Sequence, residues 1–300
     1  MINFLTMSKV ESRKPGAGCL RPSAFGPRPT AAFTLVEIAI CLAIIGFALV
    51  AIIATLPMGM NTQRANREET VIGQDAAVLL PLIAHGSRGA DDLTNYVYAI
   101  VNTGSRPSSP VGASGPVGYI NPVVASEMNF SEANDFPAVK TWYPILTNGA
   151  NIVGLLSTPE FTDSFYNPTN VFSNTGCSNR IYACIRSMSG LAAEKPPQNN
   201  AIMVGDTFSY RVLCFNAPVA LDTNTIATTS GAFSTYNQQL SFNQHELRMT
   251  YLWPQLPNGS LPPLPTIKTF RVTIAGQLTR QVINNFNLYF YQPQSFATAP

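Results

Sequence analysis

Between Ile38 and Met60 the chain has 23 residues without a charge, almost all of them Ala, Ile, Leu, Val, Phe or Met. As a helix this run measures about 35 Å, enough to cross the hydrocarbon core of a bilayer. It is longer and more uniform than the apolar stretch of an ordinary secretory signal. The small residues around Ala48 and Ala51 are where a conventional signal peptidase would look for a site.

Past Pro57 and Gly59 the pattern changes from all-apolar to amphipathic. Ala65, Ile72, Ala76, Leu79 and Ile83 are spaced by threes, fours and sevens, which places them on one stripe of a helix. Arg64, Arg67, Glu68 and Asp75 are expected mostly around the other side. Arg64 and Glu68 form a helical i, i+4 pair, in the less favourable order. Pro57 is expected to kink the helix, and Pro81 to end or kink it near Leu80.

Residues 90–175 are rich in turn formers and read as long loops with short strands. Beyond residue 200 period-two patterns sharpen. "FSYRVLCFNAPVAL" is apolar and partly β-branched. In "HELRMTYLWP", Leu247, Met249, Tyr251 and Trp253 alternate with Glu246, Arg248 and Thr250. In "KTFRVTIAGQL", Phe270, Val272 and Ile274 alternate with Thr269, Arg271 and Thr273, and "FNLYFYQ" supplies a final strand. The expected class is α+β, a long N-terminal helix packed on a C-terminal antiparallel sheet. The expected segments are 1–32 (a disordered, basic leader), 33–60 (an apolar transmembrane or assembly helix), 61–88 (its amphipathic continuation) and 89–300 (a loop-rich β domain).

Charge changes this picture at the N-terminus. Lys9, Arg13, Lys14, Arg21 and Arg28 face only Glu11 within residues 1–32, while the whole chain carries +2. The remainder is therefore slightly acidic, so no basic surface points to nucleic acid. A positive flank before an apolar run marks the cytoplasmic side, with the body exported. Charged residues make up 11% of the chain, well below the usual quarter; Asn, Ser, Thr, Pro and Gly replace them, as in an extracytoplasmic body.

Of the five cysteines, Cys19 lies in the leader and Cys41 in the apolar run, leaving Cys177, Cys184 and Cys214. With no CxxC pair and only His85 and His245, no metal site is expected. In an oxidising compartment a Cys177–Cys184 disulfide is the expected pairing, with Cys214 a buried free thiol in a strand. No spacing supports a thiol dyad, and Asp91-Asp92 reads as a solvated loop. No phosphate-loop pattern occurs. Neither a cofactor nor an enzymatic activity is expected, and Trp253 reads as core.

One charge is out of place. Glu37 is the only charged residue between Arg28 and Arg64, at a depth where a carboxylate costs about 2.5–3.5 kcal/mol. "AFTLVEIAICLAIIGFALVAII", after its basic leader, resembles the cleavage and methylation segment of type IV prepilins and type II secretion pseudopilins. The resemblance covers about thirty residues. More narrowly, "ELRMTYLWPQLPNG" and "FRVTIAGQL" in a large body are similar to pilin-like cassette proteins of Verrucomicrobia-type bacteria.

The resemblance implies cleavage between Ala32 and Phe33 by a prepilin peptidase, with Phe33 becoming the N-methylated first residue. Its further implied partners are other pilin or pseudopilin subunits and inner-membrane lipid. Glu37 would then neutralise the Phe33 amine of a neighbouring subunit, the alternative being an idle interfacial carboxylate. Two departures stand against the family pattern: Ala32 where glycine is usual, and Pro57 later than the usual kinking proline. The expected function is a pilin-like subunit, minor or at a tip because the body is bulky. The alternative is a membrane-anchored surface binding protein that uses this processing only for export.

Overall fold

A computed structural model describes residues 33–85, 90–104, 116–128, 130–162, 177–189, 208–219, 239–256 and 260–296. The expected leader, residues 1–32 with Ala32 at its end, lies outside the described residues. The chain divides into two compact units, one ending at Met60 and the other Asn61–Pro300.

Helix α1 (Leu35–His85) contributes to both. In the first unit, every residue from 33 to 60 is exposed. The helix runs through both Pro57 and Pro81. Both prolines sit on exposed positions, where the lost backbone bond is not left in a dry core. Of the two outcomes expected of Pro81, an end near Leu80 is the one corrected, since the helix runs on to His85.

The second unit is built on a seven-stranded sheet. Its strands are β1 (Val97–Asn102), β2 (Val117–Ile120), β3 (Thr141–Tyr143), β6 (Ile181–Arg186), β7 (Ser209–Pro218), β8 (Gln244–Trp253) and β9 (Thr266–Ala275), in the order β3-β2-β1-β6-β7-β8-β9. Every pairing in it is antiparallel except β2 with β3. A short ladder joins β4 (Phe161–Thr162) to β5 (Cys177–Ser178).

The chain leaves the sheet at Gly276, whose φ of +125° suits glycine and where a Cβ would press on the Gln292 carbonyl. It then forms a hairpin of β10 (Gln277–Ile283) and β11 (Phe286–Gln292). Asn284 and Asn285, at φ 51° and 67°, make its tight turn, as asparagine tolerates the left-handed region.

Three short helices, α2 (Pro122–Glu127), α3 (Glu132–Asp135) and α4 (Gly149–Leu156), occupy the stretch expected to be loops. Two have explicit start signals. The Asn121 side chain accepts from Val123 N with Pro122 at the first helical position, and the Asn148 side chain accepts from Ala150 N.

One face of the sheet carries the main core. Ile72, Ala76, Leu79 and Ile83 of α1 pack there with α4, the hairpin and strand residues such as Ile100, Ala183, Val212 and Tyr251. The other face holds a smaller cluster, where α2 contributes Val124 and Ala125 to Tyr98, Ala99, Ile120 and Cys184. Trp253 is core, as expected.

Candidate functional site

The first candidate is the start of α1. Thr34 Oγ1 accepts from the backbone N–H of Glu37 at 3.3 Å, and Ile38 N–H bonds the Thr34 carbonyl at 3.2 Å. Thr34 is thus the N-cap and Glu37 the third helical residue, the spacing of a capping box. The position also suits a carboxylate because the helix N-terminus carries partial positive charge. The Thr34-x-x-Glu37 spacing is the signal in the sequence for this helix start. After it the helix is apolar on all sides: Leu35 is 84% exposed and Phe47 80%. α1 is long and apolar enough to cross a membrane, with a window of mean hydropathy 2.9.

The second candidate lies within the other unit, where α1 meets the sheet. Asp75 is fully buried, a correction to its expected place on the polar side. Its carboxylate accepts from Met188 N at 3.1 Å, from the Tyr210 hydroxyl at 2.8 Å and from the Ser189 hydroxyl. Burial raises its pKa, while Ser189, Tyr210 and Met188 pull it back. The signal was available: Asp75 stands three after Ile72 and four before Leu79, which is on the apolar stripe. Hydrogen bonds to a charged acceptor contribute about 1.5–3 kcal/mol each, so Asp75 ties α1 to β7 and to the segment after β6. Tyr210 in turn packs its ring 5.5 Å from that of Tyr251.

The remaining sequence-singled residues scatter. Cys184 is a free, fully buried thiol, so the expected Cys177–Cys184 bridge is not formed. Ile181 to Ala183 are extended strand rather than loop, and extended residues carry Cys184 about 3.3 Å further away apiece. The Cys177 side chain lies outside the described residues. Cys184 faces the smaller cluster and Cys214, also free and buried, faces the main core. Burial pushes the Cys184 thiol up to about 11 and that of Cys214 to about 12.

Asp91 and Asp92 are exposed at the start of a 3-10 helix, Ala90–Asn95, and His85 is exposed at the end of α1. Among the described residues no group of three or more His, Cys, Asp or Glu side chains could hold a metal ion. No family model, curated protein or solved structure matches the chain.

Proposed function

We propose that this chain is a pilin-like subunit, minor rather than repeating, that is cleaved between Ala32 and Phe33 and assembles through its N-terminal helix. The observation that carries the reading is the helix of residues 33–60, apolar on every side beyond Glu37 and exposed at every position among the described residues. Burying a single Leu, Ile, Val or Phe side chain contributes about 1.5–3 kcal/mol. A helix with so many exposed has to lie in lipid or against other apolar helices.

Prepilin processing suits both surroundings in turn. A prepilin peptidase and inner-membrane lipid meet the helix first, and the helices of other pilin or pseudopilin subunits meet it after extraction. Cleavage leaves an ammonium on Phe33. Glu37, whose backbone N–H is capped by the Thr34 hydroxyl, would offer its carboxylate to that end of a neighbour's helix. In apolar surroundings such a pair stabilises only when both charges are present, which sets the register between subunits. The body, exported behind the helix, is the part that faces outward.

The test is N-terminal sequencing of the mature protein together with its recovery in sheared filaments or with partner pilins. We expect a start at Phe33, N-methylated, and recovery in the assembly. A start near Ala51 would mean ordinary secretion. A Phe33 start with a strictly monomeric membrane protein would replace assembly by an anchored surface protein.

A further inference from the structure

Under the hairpin, three polar side chains from three strands come together in the main core. Asn216 on β7, His245 on β8 and Tyr291 on β11 are each at least nine-tenths buried, at 1%, 6% and 3% exposure. Asn216 stands opposite Leu247 and His245 opposite Pro218, so the two side chains are diagonal neighbours on one face of the sheet. The His245 and Tyr291 rings lie 5.6 Å apart. The Asn216 amide is close enough to the Tyr291 hydroxyl to offset part of the rise that burial imposes on its pKa.

The donor and acceptor roles are fixed by the bonds already made. Asn216 Nδ2 donates to the Ser157 carbonyl at 2.6 Å, so Oδ1 is turned the other way as a bare acceptor. His245 Nε2 lies 3.3 Å from the Phe242 carbonyl, and a carbonyl only accepts, so Nε2 carries the hydrogen. The ring is neutral near pH 7, since burial lowers its pKa to about 4, and Nδ1 is then an acceptor. Asn216 Oδ1, His245 Nδ1 and the Tyr291 hydroxyl oxygen are all buried without a hydrogen-bond partner. Such atoms each cost about 1–3 kcal/mol unless satisfied.

Two acceptors and one hydroxyl donor define what fits between them. An anion would meet two lone pairs. A metal ion would find neither carboxylate nor thiolate. A water molecule donates twice and accepts once, which answers all three groups. We propose that Asn216, His245 and Tyr291 form an internal water-binding site that joins the β10–β11 hairpin to the face of the seven-stranded sheet. Phe286, 4.8 Å from the Tyr143 ring, holds the turn end of the same hairpin by apolar contact. The water holds the opposite end.

A crystal structure of the full chain in detergent, at a resolution that shows ordered solvent, tests the site. The expected result is one solvent peak at about 2.7–3.2 Å from all three atoms. A Tyr291 hydroxyl bonded directly to Asn216 Oδ1 or His245 Nδ1, with no solvent peak, would overturn the proposal. Independently, Tyr291→Phe keeps the ring and removes one of the three bonds. The folding equilibrium constant of the full chain should fall about fivefold; a change within twofold would argue that no bridged network exists.

Discussion

Asp75 on α1 and Tyr210 on β7, 135 residues apart in sequence, share a buried hydrogen bond of 2.8 Å. The bond fixes which turn of the helix lies over which strand, because the carboxylate takes two more donors from Met188 and Ser189. Tyr210→Phe removes one of the three and should cost about 1–2 kcal/mol. Asp75→Ala strands all three donors in the core and should cost about 3–5 kcal/mol, as breaking a buried polar network does. Thermal or urea unfolding of the full chain in detergent measures both, and equal costs would mean that Asp75 acts only through its bond to Tyr210.

The pH dependence of stability follows from two buried groups of opposite sign. Burial raises the Asp75 pKa above 3.8, so its folded state holds a proton more tightly than the unfolded chain. Its contribution is full below about pH 4 and is lost as pH rises through the folded value. His245 is lowered from 6.5 to about 4, so its contribution is full above pH 6.5 and is lost as pH falls towards 4. Asp75→Asn should therefore steepen the loss of Tm between pH 6.5 and 4, and His245→Leu should flatten it. Parallel Tm–pH curves for both variants and the parent would show that neither group titrates on unfolding in this window.

On the proposed function, the Thr34 cap and the Glu37 carboxylate have separable roles, and amide and alanine variants distinguish them. A capping box accepts glutamine in place of glutamate, whereas an amide cannot neutralise a neighbour's ammonium. Glu37→Gln should leave membrane insertion and the mature body intact but reduce the fraction recovered in filaments. Thr34→Ala, which loses about 1 kcal/mol of cap, should assemble nearly normally. If Thr34→Ala fails and Glu37→Gln assembles, the cap is the function and the intersubunit pair is not.

The buried thiols give a chemical readout. With pKa values pushed up to about 11 and 12, Cys184 and Cys214 are almost wholly protonated at neutral pH and shielded from solvent. Neither should alkylate in the native chain, and both should react on denaturation. Peptide mass mapping without reduction should find neither a Cys177–Cys184 nor a Cys184–Cys214 link.

What the sequence made legible depended on how long each pattern ran. The alternation of Leu247, Met249, Tyr251 and Trp253 placed β8 and its buried face correctly, since all four are core. Ile72, Ala76, Leu79 and Ile83 likewise placed the docking stripe of α1. Residues 90–175 were opaque because α2, α3 and α4 span only 6, 4 and 8 residues, too few for a helical period to register. Their traces were single residues, Asn121 before Pro122 and Asn148 before Gly149. "GQL" follows the alternation of "KTFRVTIA" as the tail of a strand would, but Gly276 turns the chain out of the sheet and opens a hairpin. Asp75 was misplaced because charge outweighed position: its stripe placed it inward, but its three partners are 113 or more residues away in sequence, where no local pattern reaches.

That separation also dictates an order of events. A chain synthesised from its N-terminus completes residues 33–60 and the whole of α1 long before Met188, Ser189 and Tyr210 emerge. At a few to about twenty residues per second, the delay is several seconds at least. Throughout it Asp75 has none of its three donors, and the stripe of Ile72, Ala76, Leu79 and Ile83 lacks β7, β8 and the hairpin that complete its core. The apolar half can find its surroundings early, while the half that carries the body waits for its last strands. A bound chaperone or a slowed ribosome would therefore act on residues 61–85 and not on residues 33–60.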